Sequence, residues 1–297
     1  MRLLLLGATG QVGHELRRSL APLGTVVCAA RSGQLADGGA CEVADFDQPQ
    51  GLPALVARIA PDVVVNAAAY TAVDAAENDR AAAFRANADA PQALADACAK
   101  RGALLVHYST DYVFDGSGSR PYREDDPTAP LGVYGASKLA GEHAVRGSGA
   151  SHMVFRTAWV YASHGRNFLR TMLRLAGERD ELRVVADQVG TPTPAALIAD
   201  VTAAALRAPP ASGLWHLTAR GHTTWHGFAA EIVRQAHAAG RLQRVPAVVP
   251  ITTAEFPTPA ARPAYSCLDV SRLQRDLDIA LPAWDDALAS AVAAMPR

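Results

Sequence analysis

Tyr134 and Lys138, in the run Tyr134-Gly-Ala-Ser-Lys138, are the residues of this chain best suited to moving a proton. Four residues apart, they project from one face of a helix, so the ammonium can act on the phenol. A free phenol has a pKa of about 10. One ammonium at about 4 Å, at an effective dielectric of about 20, supplies roughly 4 kcal/mol, enough to bring that value to about 7. Composition singles out the lysine, because the chain has 26 Arg but two Lys, Lys100 and Lys138. With seven Tyr in the chain, shuffling gives about 0.05 such pairs. A compact ammonium can sit beside a phenol and reach a ribose hydroxyl, which the wider, fixed guanidinium fork cannot. An exposed helix face carrying both residues is the plainer alternative.

A proton donor needs a reacting partner held beside it, and the first third of the chain is patterned to hold one. Residues 2 to 6 read as a fully buried strand, followed at once by Gly7-Ala-Thr-Gly10-Gln-Val-Gly13. A helix then runs to about Leu23, with Val12, Leu16, Leu20 and Leu23 on one stripe, and Thr25 to Ala30 returns as a strand. Glycines at such a turn let the backbone approach a pyrophosphate, and the helix N-terminus behind them offers free N–H groups. The spacing is G-x-x-G-x-x-G, not the G-x-G-x-x-G of many dinucleotide folds. A purely structural glycine turn is the alternative.

The second strand ends at Ala30-Arg31, where a site preferring NADH usually carries an acid for the ribose 2′-hydroxyl. Arg31 favours a 2′-phosphate and hence NADPH over NADH, although a solvated loop arginine would look the same. Ala40 to Ala44 reads as a third strand, with Asp45-Phe46-Asp47 at its end, where a carboxylate and an aromatic ring could flank an adenine. A helix over 53–60 leads to the strand Asp62 to Asn66 and the small-residue run Ala67-Ala68-Ala69-Tyr70-Thr71. Small side chains would let a cofactor lie against that backbone; an alanine-rich chain would show such a run anyway. A helix over 79–101 precedes the strand Ala103 to Ser109, which delivers Thr110 and Asp111 to the C-terminal edge of the sheet, where open parallel sheets bind ligands.

Strands alternating with helices over residues 1–150 predict an α/β fold, a doubly wound parallel sheet of Rossmann type forming a dinucleotide-binding domain. Residues 151–297 are expected to form mainly a smaller, mixed α/β substrate lobe, with later segments returning to the first domain. There the pattern gives strands at 153–160, 182–185 and 214–218, helices at 167–178, 191–206 and 223–239, a proline-rich stretch over 245–263 and a last helix from Trp284.

A net charge of −1 gives no electrostatic reason to expect nucleic acid or an anionic membrane as partner, so the expected ligand is small. The four cysteines lie far apart with no CxxC pair, against both zinc and a disulfide framework. The opening apolar run is too short for a signal peptide or membrane span, and a cytoplasmic protein is expected. His222 and His226 are four apart but lack the glutamate of a zincin and a third ligand nearby, so no metal is assigned there.

Taken together, these motifs resemble the extended short-chain dehydrogenase/reductases and, within them, the dTDP-4-dehydrorhamnose reductases. The narrower resemblance rests on the glycine turn, Asn66 to Asp74, Tyr108 to Gly116, Tyr134 to Glu142, Arg156 to Tyr161, Asp187 to Thr193, Pro257 to Pro263 and Leu281 to Trp284, nearly the whole chain. It implies an oxidoreductase of dTDP-rhamnose biosynthesis that uses NADPH, or NADH less selectively, to reduce the C4 ketone of a dTDP-linked 6-deoxyhexulose. By matching position, Thr110, Tyr134 and Lys138 are the expected catalytic residues. Gly10, Gln11, Val12, Asp45, Phe46, Ala69, Tyr70, Thr71 and Tyr108 fall on cofactor-contacting positions. Thr71, Val73, Asp111, Trp159 and Arg262 are expected on the substrate side, with Thr110. Some relatives join two subunits through Mg held by glutamates; Glu15 matches one ligand, but Pro192 to Asp200 and the last turns lack the others. Mg is therefore left open, and a monomer or weak homodimer is expected. The same Thr-Tyr-Lys set also serves other nucleotide-sugar reductases, epimerases and dehydratases, and the fold occurs in non-catalytic NADP-binding regulatory subunits. The face of the ketone attacked, and hence the product's configuration at C4, is not set by these motifs.

Overall fold

A computed structural model describes residues 1–295; Pro296 and Arg297, the end of the expected last turns, lie outside the described residues. Short Val- and Leu-rich runs punctuated by glycine and proline form strands buried on both faces, as in β1 (Arg2–Leu6), whose four leucines are fully buried. The first half continues through α1 (Gln11–Leu20), β2 (Thr25–Ala30), β3 (Glu42–Val43), α2 (Leu52–Ile59), β4 (Val63–Asn66), α3 (Val73–Ala76), α4 (Arg80–Phe84), α5 (Ala90–Arg101), β5 (Leu104–Thr110) and α6 (Val133–Gly147). Beyond it come β6 (His152–Thr157), β7 (Val160–Tyr161), α7 (Phe168–Glu178), β8 (Glu181–Val185), β9 (Val189–Gly190), β10 (Thr193–Pro194) and α8 (Ala195–Arg207). The chain closes with β11 (Gly213–His216), β12 (Thr223–Thr224), α9 (Trp225–Ala238), β13 (Ala247–Ile251), α10 (Ser271–Leu277) and α11 (Trp284–Ala293).

Seven parallel strands form the central sheet in the order β11-β6-β5-β4-β1-β2-β3. The order reverses between β1 and β4, so the loops leaving these strands diverge and open a crevice at their C-terminal ends. Leu3, Leu5, Leu16, Leu20, Ile198 and Leu273 fill one face of the sheet. Leu4, Leu6, Leu55, Ile59, Leu94 and Leu105 fill the other. A separate core of Tyr161, Leu169, Leu182, Phe228, Ile232 and Leu288 holds the second lobe, where α7, α9 and α11 meet β8. Strands β6 and β11 come from beyond residue 150 yet complete the central sheet, and α8 packs on α1.

Four local departures from the sequence pattern have physical causes. The third strand shortens to two residues because a tight turn at Asp37 to Gly39 and a bridge from Gln34 to Ala40 occupy its approach. The helix expected over 79–101 is interrupted by a π-helical turn at Arg85–Asp89. The strand expected over 153–160 stops at Thr157, because Trp159 adopts φ 46° and breaks the extended run. Inside the proline-rich stretch, β13 pairs in parallel with β8, Pro250 being tolerated on a strand with a neighbour on one side.

Candidate active site

The glycine turn after β1 is shaped by close backbone approach. Gly7 has φ 75°, and a Cβ there would lie 2.6 Å from the Ala68 nitrogen and 2.7 Å from the Ala67 carbonyl carbon. A Cβ at Gly13 would lie 2.0 Å from the Gly7 oxygen, so this glycine seats α1 against the turn. The N-terminus of α1 has no side-chain cap at Gly10 and no acid in its first turn. Its N–H groups are therefore free to meet an anion.

Helix α6 carries Tyr134 and Lys138, and its glycines let it press against two other backbones. A Cβ at Gly135 would lie 2.1 Å from the Tyr112 oxygen, and one at Gly141 2.0 Å from the Asn87 oxygen. Glu77 accepts a hydrogen bond from the Val133 N–H at 2.8 Å and so fixes the start of the helix. Asn87, on the π-helical turn, donates to Ser137 Oγ at 3.0 Å and to the Tyr70 carbonyl at 3.0 Å, and accepts from the Tyr70 N–H at 2.8 Å. Helix α6 and the Ala67-to-Thr71 run are thereby held by one amide.

Lys138 is buried and donates to the Tyr108 carbonyl at 2.6 Å. Burial lowers its pKa to about 8, with Glu142 acting in the opposite sense, so it is mostly cationic at neutral pH. Burial raises the Tyr134 phenol to about 12, opposed by the nearby Thr110 hydroxyl and assisted by the Asp111 charge. The expectation that the lysine draws this phenol toward neutrality is thus corrected: loss of solvent dominates, and the ammonium is turned to a carbonyl. Tyr134 is held neutral, the state from which a proton can be given.

Thr110 donates to Asp111 Oδ1 at 3.0 Å and accepts from the Tyr112 N–H at 3.2 Å. Burial raises the Asp111 carboxyl to about 7, with the Ser266 and Thr110 hydroxyls pulling it back. Its Oδ2, the Ser109 hydroxyl and the Thr157 hydroxyl are buried without a hydrogen-bond partner. All three residues line one cavity of about 670 Å³. Unmatched buried polar atoms on a cavity wall are costly unless a ligand supplies their partners.

That cavity runs from Arg31 and Phe46, past Gly7, Gly10, Gln11 and Val12, and along Ala67, Ala68, Ala69, Tyr70, Thr71 and Val73. It ends among Tyr108, Thr110, Asp111, Tyr134, Lys138 and Trp159. An elongated ligand with an anionic middle fits it: the tight glycine turn and the uncapped helix lie between the Phe46 ring and the Tyr134 phenol. Three residues singled out in the sequence do not line it. Gly13 is spent on packing, Asp45 lies outside, 3.7 Å from Arg31, and Arg262 forms a two-pronged pair with Asp74 at 2.8 Å on each arm.

Comparison with known proteins decides among the activities such a site could serve. A family model described as the RmlD substrate binding domain matches residues 1–296. A dTDP-4-dehydrorhamnose reductase of Burkholderia thailandensis is 52% identical over 295 residues, covering 96% of this chain and 95% of that protein. One from Salmonella typhimurium is 47% identical over 289 residues, covering 96% and 95%. The solved dTDP-4-dehydrorhamnose reductase of Bacillus anthracis, in complex with NADP, superposes with a TM-score of 0.88 at 33% identity and covers 98% of each chain. The chain belongs to the dTDP-4-dehydrorhamnose reductase family.

In this member of the dTDP-4-dehydrorhamnose reductase family, Trp159 is half of a pair. Its ring stacks on Trp225 at 3.6 Å between centroids and 6° between planes, and a Cβ at Gly190 would lie 2.4 Å from its Cε2. Trp225, Arg166, Asn167, Tyr112, Ser109 and Thr157 line the cavity without having been singled out in the sequence. The signal for Trp225 lies in His222-Thr-Thr-Trp-His226, where the spacing of the two histidines masks the tryptophan between them. His226 there meets the Val248 carbonyl at 3.1 Å, and no metal-binding group of three or more ligands occurs among the described residues. Glu15, the residue matching a Mg ligand in some relatives, meets His164 Nε2 at 2.9 Å within its own chain. Among the described residues, no helix is long and apolar enough to cross a membrane.

Proposed function

We propose that this chain reduces the C4 ketone of dTDP-4-dehydro-L-rhamnose to dTDP-L-rhamnose with NADPH. The observation that carries the reading is one cavity holding a glycine turn with an uncapped helix N-terminus at its middle and, at its end, a neutral, half-buried Tyr134 and a cationic Lys138 from the same helix. NADPH bound along it supplies the hydride. Tyr134 gives its phenolic proton to the oxygen that was the ketone, so that hydride and proton together make the C4 hydroxyl. The phenolate left behind sits in a buried place, which Lys138, on the same helical face, makes tolerable. Thr110 hydrogen-bonds the carbonyl and sets its orientation. Asp111, with one carboxylate oxygen unmatched, takes a sugar hydroxyl, and Trp159, braced by Trp225, walls the sugar site.

Arg31, 69% exposed and only loosely near Asp45 and Asp47 at 3.7 and 3.5 Å, is free to meet a 2′-phosphate. Glu15 is engaged by His164, which supports a monomer or weak homodimer without bridging Mg. Four free cysteines and a net charge of −1 accord with a reducing cytoplasmic setting and with a small ligand rather than nucleic acid. The deciding experiment supplies dTDP-4-dehydro-L-rhamnose and NADPH, follows cofactor oxidation, and identifies the sugar by NMR. One NADPH consumed per dTDP-L-rhamnose formed is expected. A different sugar formed without net NADPH consumption would make the chain an epimerase or dehydratase, and NADPH binding without turnover would make it a regulatory subunit.

A further inference from the structure

Among the described residues three cations line the cavity, and two are engaged: Lys138 by the Tyr108 carbonyl and Arg31, more loosely, by Asp45 and Asp47. The third, Arg166, is exposed and has no hydrogen-bond or ion-pair partner among the described residues. A guanidinium left free at a cavity wall is a ready site for an anion, preferably one that takes two of its N–H groups at once.

The segment bearing Arg166 is fastened to the first turn of α1. Asn167 donates from one amide nitrogen to Gln11 Oε1, the Ala162 carbonyl and the His164 carbonyl, each at 2.9 Å. His164 meets Glu15 at 2.9 Å, and Gly165, at φ 70°, makes the bend that brings the segment over Gln11. A Cβ at Gly165 would lie 3.7 Å from Gln11 Cγ. Arg166 therefore stands over the helix start that follows the glycine turn, on the side contributed by the second lobe. The turn and the free N–H groups of α1 face the same space from the sheet side.

We propose that Arg166 binds the pyrophosphate of the dinucleotide from the face opposite the glycine turn, so that cofactor binding joins the two lobes. The proposal rests on the cofactor reading above and adds to it a residue outside the turn. The pyrophosphate is common to NADPH and NADH, whereas the 2′-phosphate assigned to Arg31 belongs to NADPH alone. The two arginines thus leave different signatures.

The test is direct titration of the intact chain with NADPH and with NADH, followed by nicotinamide fluorescence, in wild type, Arg166→Ala, Arg166→Lys and Arg31→Ala. Arg166→Ala is expected to weaken both cofactors by the same factor, about tenfold, the size of one lost charge-assisted interaction. Arg166→Lys should recover part of the loss. The salt dependence of binding should be shallower in Arg166→Ala, and the affinity for dTDP should stay unchanged. Equal cofactor affinity in wild type and Arg166→Ala overturns the proposal. So does a loss confined to NADPH, or a loss of dTDP affinity instead, which would place the guanidinium on the 2′-phosphate or on the substrate's diphosphate. If wild type bound neither nicotinamide cofactor, the cofactor reading itself would fall and this one with it.

Discussion

Gly135→Ala should separate the placement of the donor helix from its chemistry. The added Cβ would lie 2.1 Å from the Tyr112 oxygen, whereas ordinary contact begins at 3.4 Å. The difference, 3.4 − 2.1, requires α6 or the 111–113 segment to give way by about 1.3 Å, and both of the atoms in conflict belong to backbone or to Cβ, so no rotamer can relieve it. Overpacking of this kind costs about 1–3 kcal/mol, while replacing this first-turn glycine returns at most about 1 kcal/mol. The net loss of stability, roughly 0–2 kcal/mol, leaves the chain folded. Catalysis is less forgiving, because a misplacement of about 1 Å can cost 10²-fold in rate. The expected outcome is a kcat lowered about 100-fold in an NADPH-oxidation assay, NADPH affinity within a few-fold of wild type, and a small shift of the urea midpoint. Gly147→Ala on the same helix is the control: nothing lies within 4 Å of its added Cβ, and activity should be unchanged. Wild-type kcat in Gly135→Ala would show that the close approach of α6 to the Tyr112 carbonyl does not set the position of Tyr134.

Tyr134→Phe should lower kcat by about 10²–10⁴-fold, the range for loss of a general acid, with NADPH affinity little changed in a fluorescence titration. Lys138 makes kcat/KM pH-dependent: its pKa of about 8 lies below the ordinary 10.5, so the cation is lost and the rate falls as pH rises through about 8. Its contribution to stability runs the other way. The cost of burying the charge is present below about pH 8 and relieved as pH climbs from there toward 10.5, which denaturant melts across that window would register. Glu142→Gln should cost about 3–5 kcal/mol, read from the urea midpoint, because it leaves the 2% exposed Arg156 without the carboxylate it meets at 2.8 and 2.7 Å. Arg31→Ala should raise the KM for NADPH about five- to tenfold and leave that for NADH unchanged, a ratio that steady-state assays with both cofactors give directly.

What could be read from the chain alone is what depends on near neighbours in sequence. The doubly wound sheet was legible because β1 and β4 are parallel strands buried on both faces and so appear as unbroken apolar runs. The glycine turn and the Tyr-Gly-Ala-Ser-Lys helix were legible because the spacing of a few residues within one turn already dictates which groups share a face. What escaped depends on partners distant in sequence. Asn87 is an ordinary asparagine until a π-helical turn aims its amide at both Tyr70 and Ser137. Trp225 acquires its place only when α9 lays it on Trp159, whose left-handed φ no local pattern announces. The phenol's acidity shows the same limit inside a motif legible in the sequence. Spacing alone suggested that Lys138 governs Tyr134, but the shift is set by burial, and burial is a property of everything packed around α6. Spacing therefore places the two side chains on one helical face, and packing sets the acidity of the phenol.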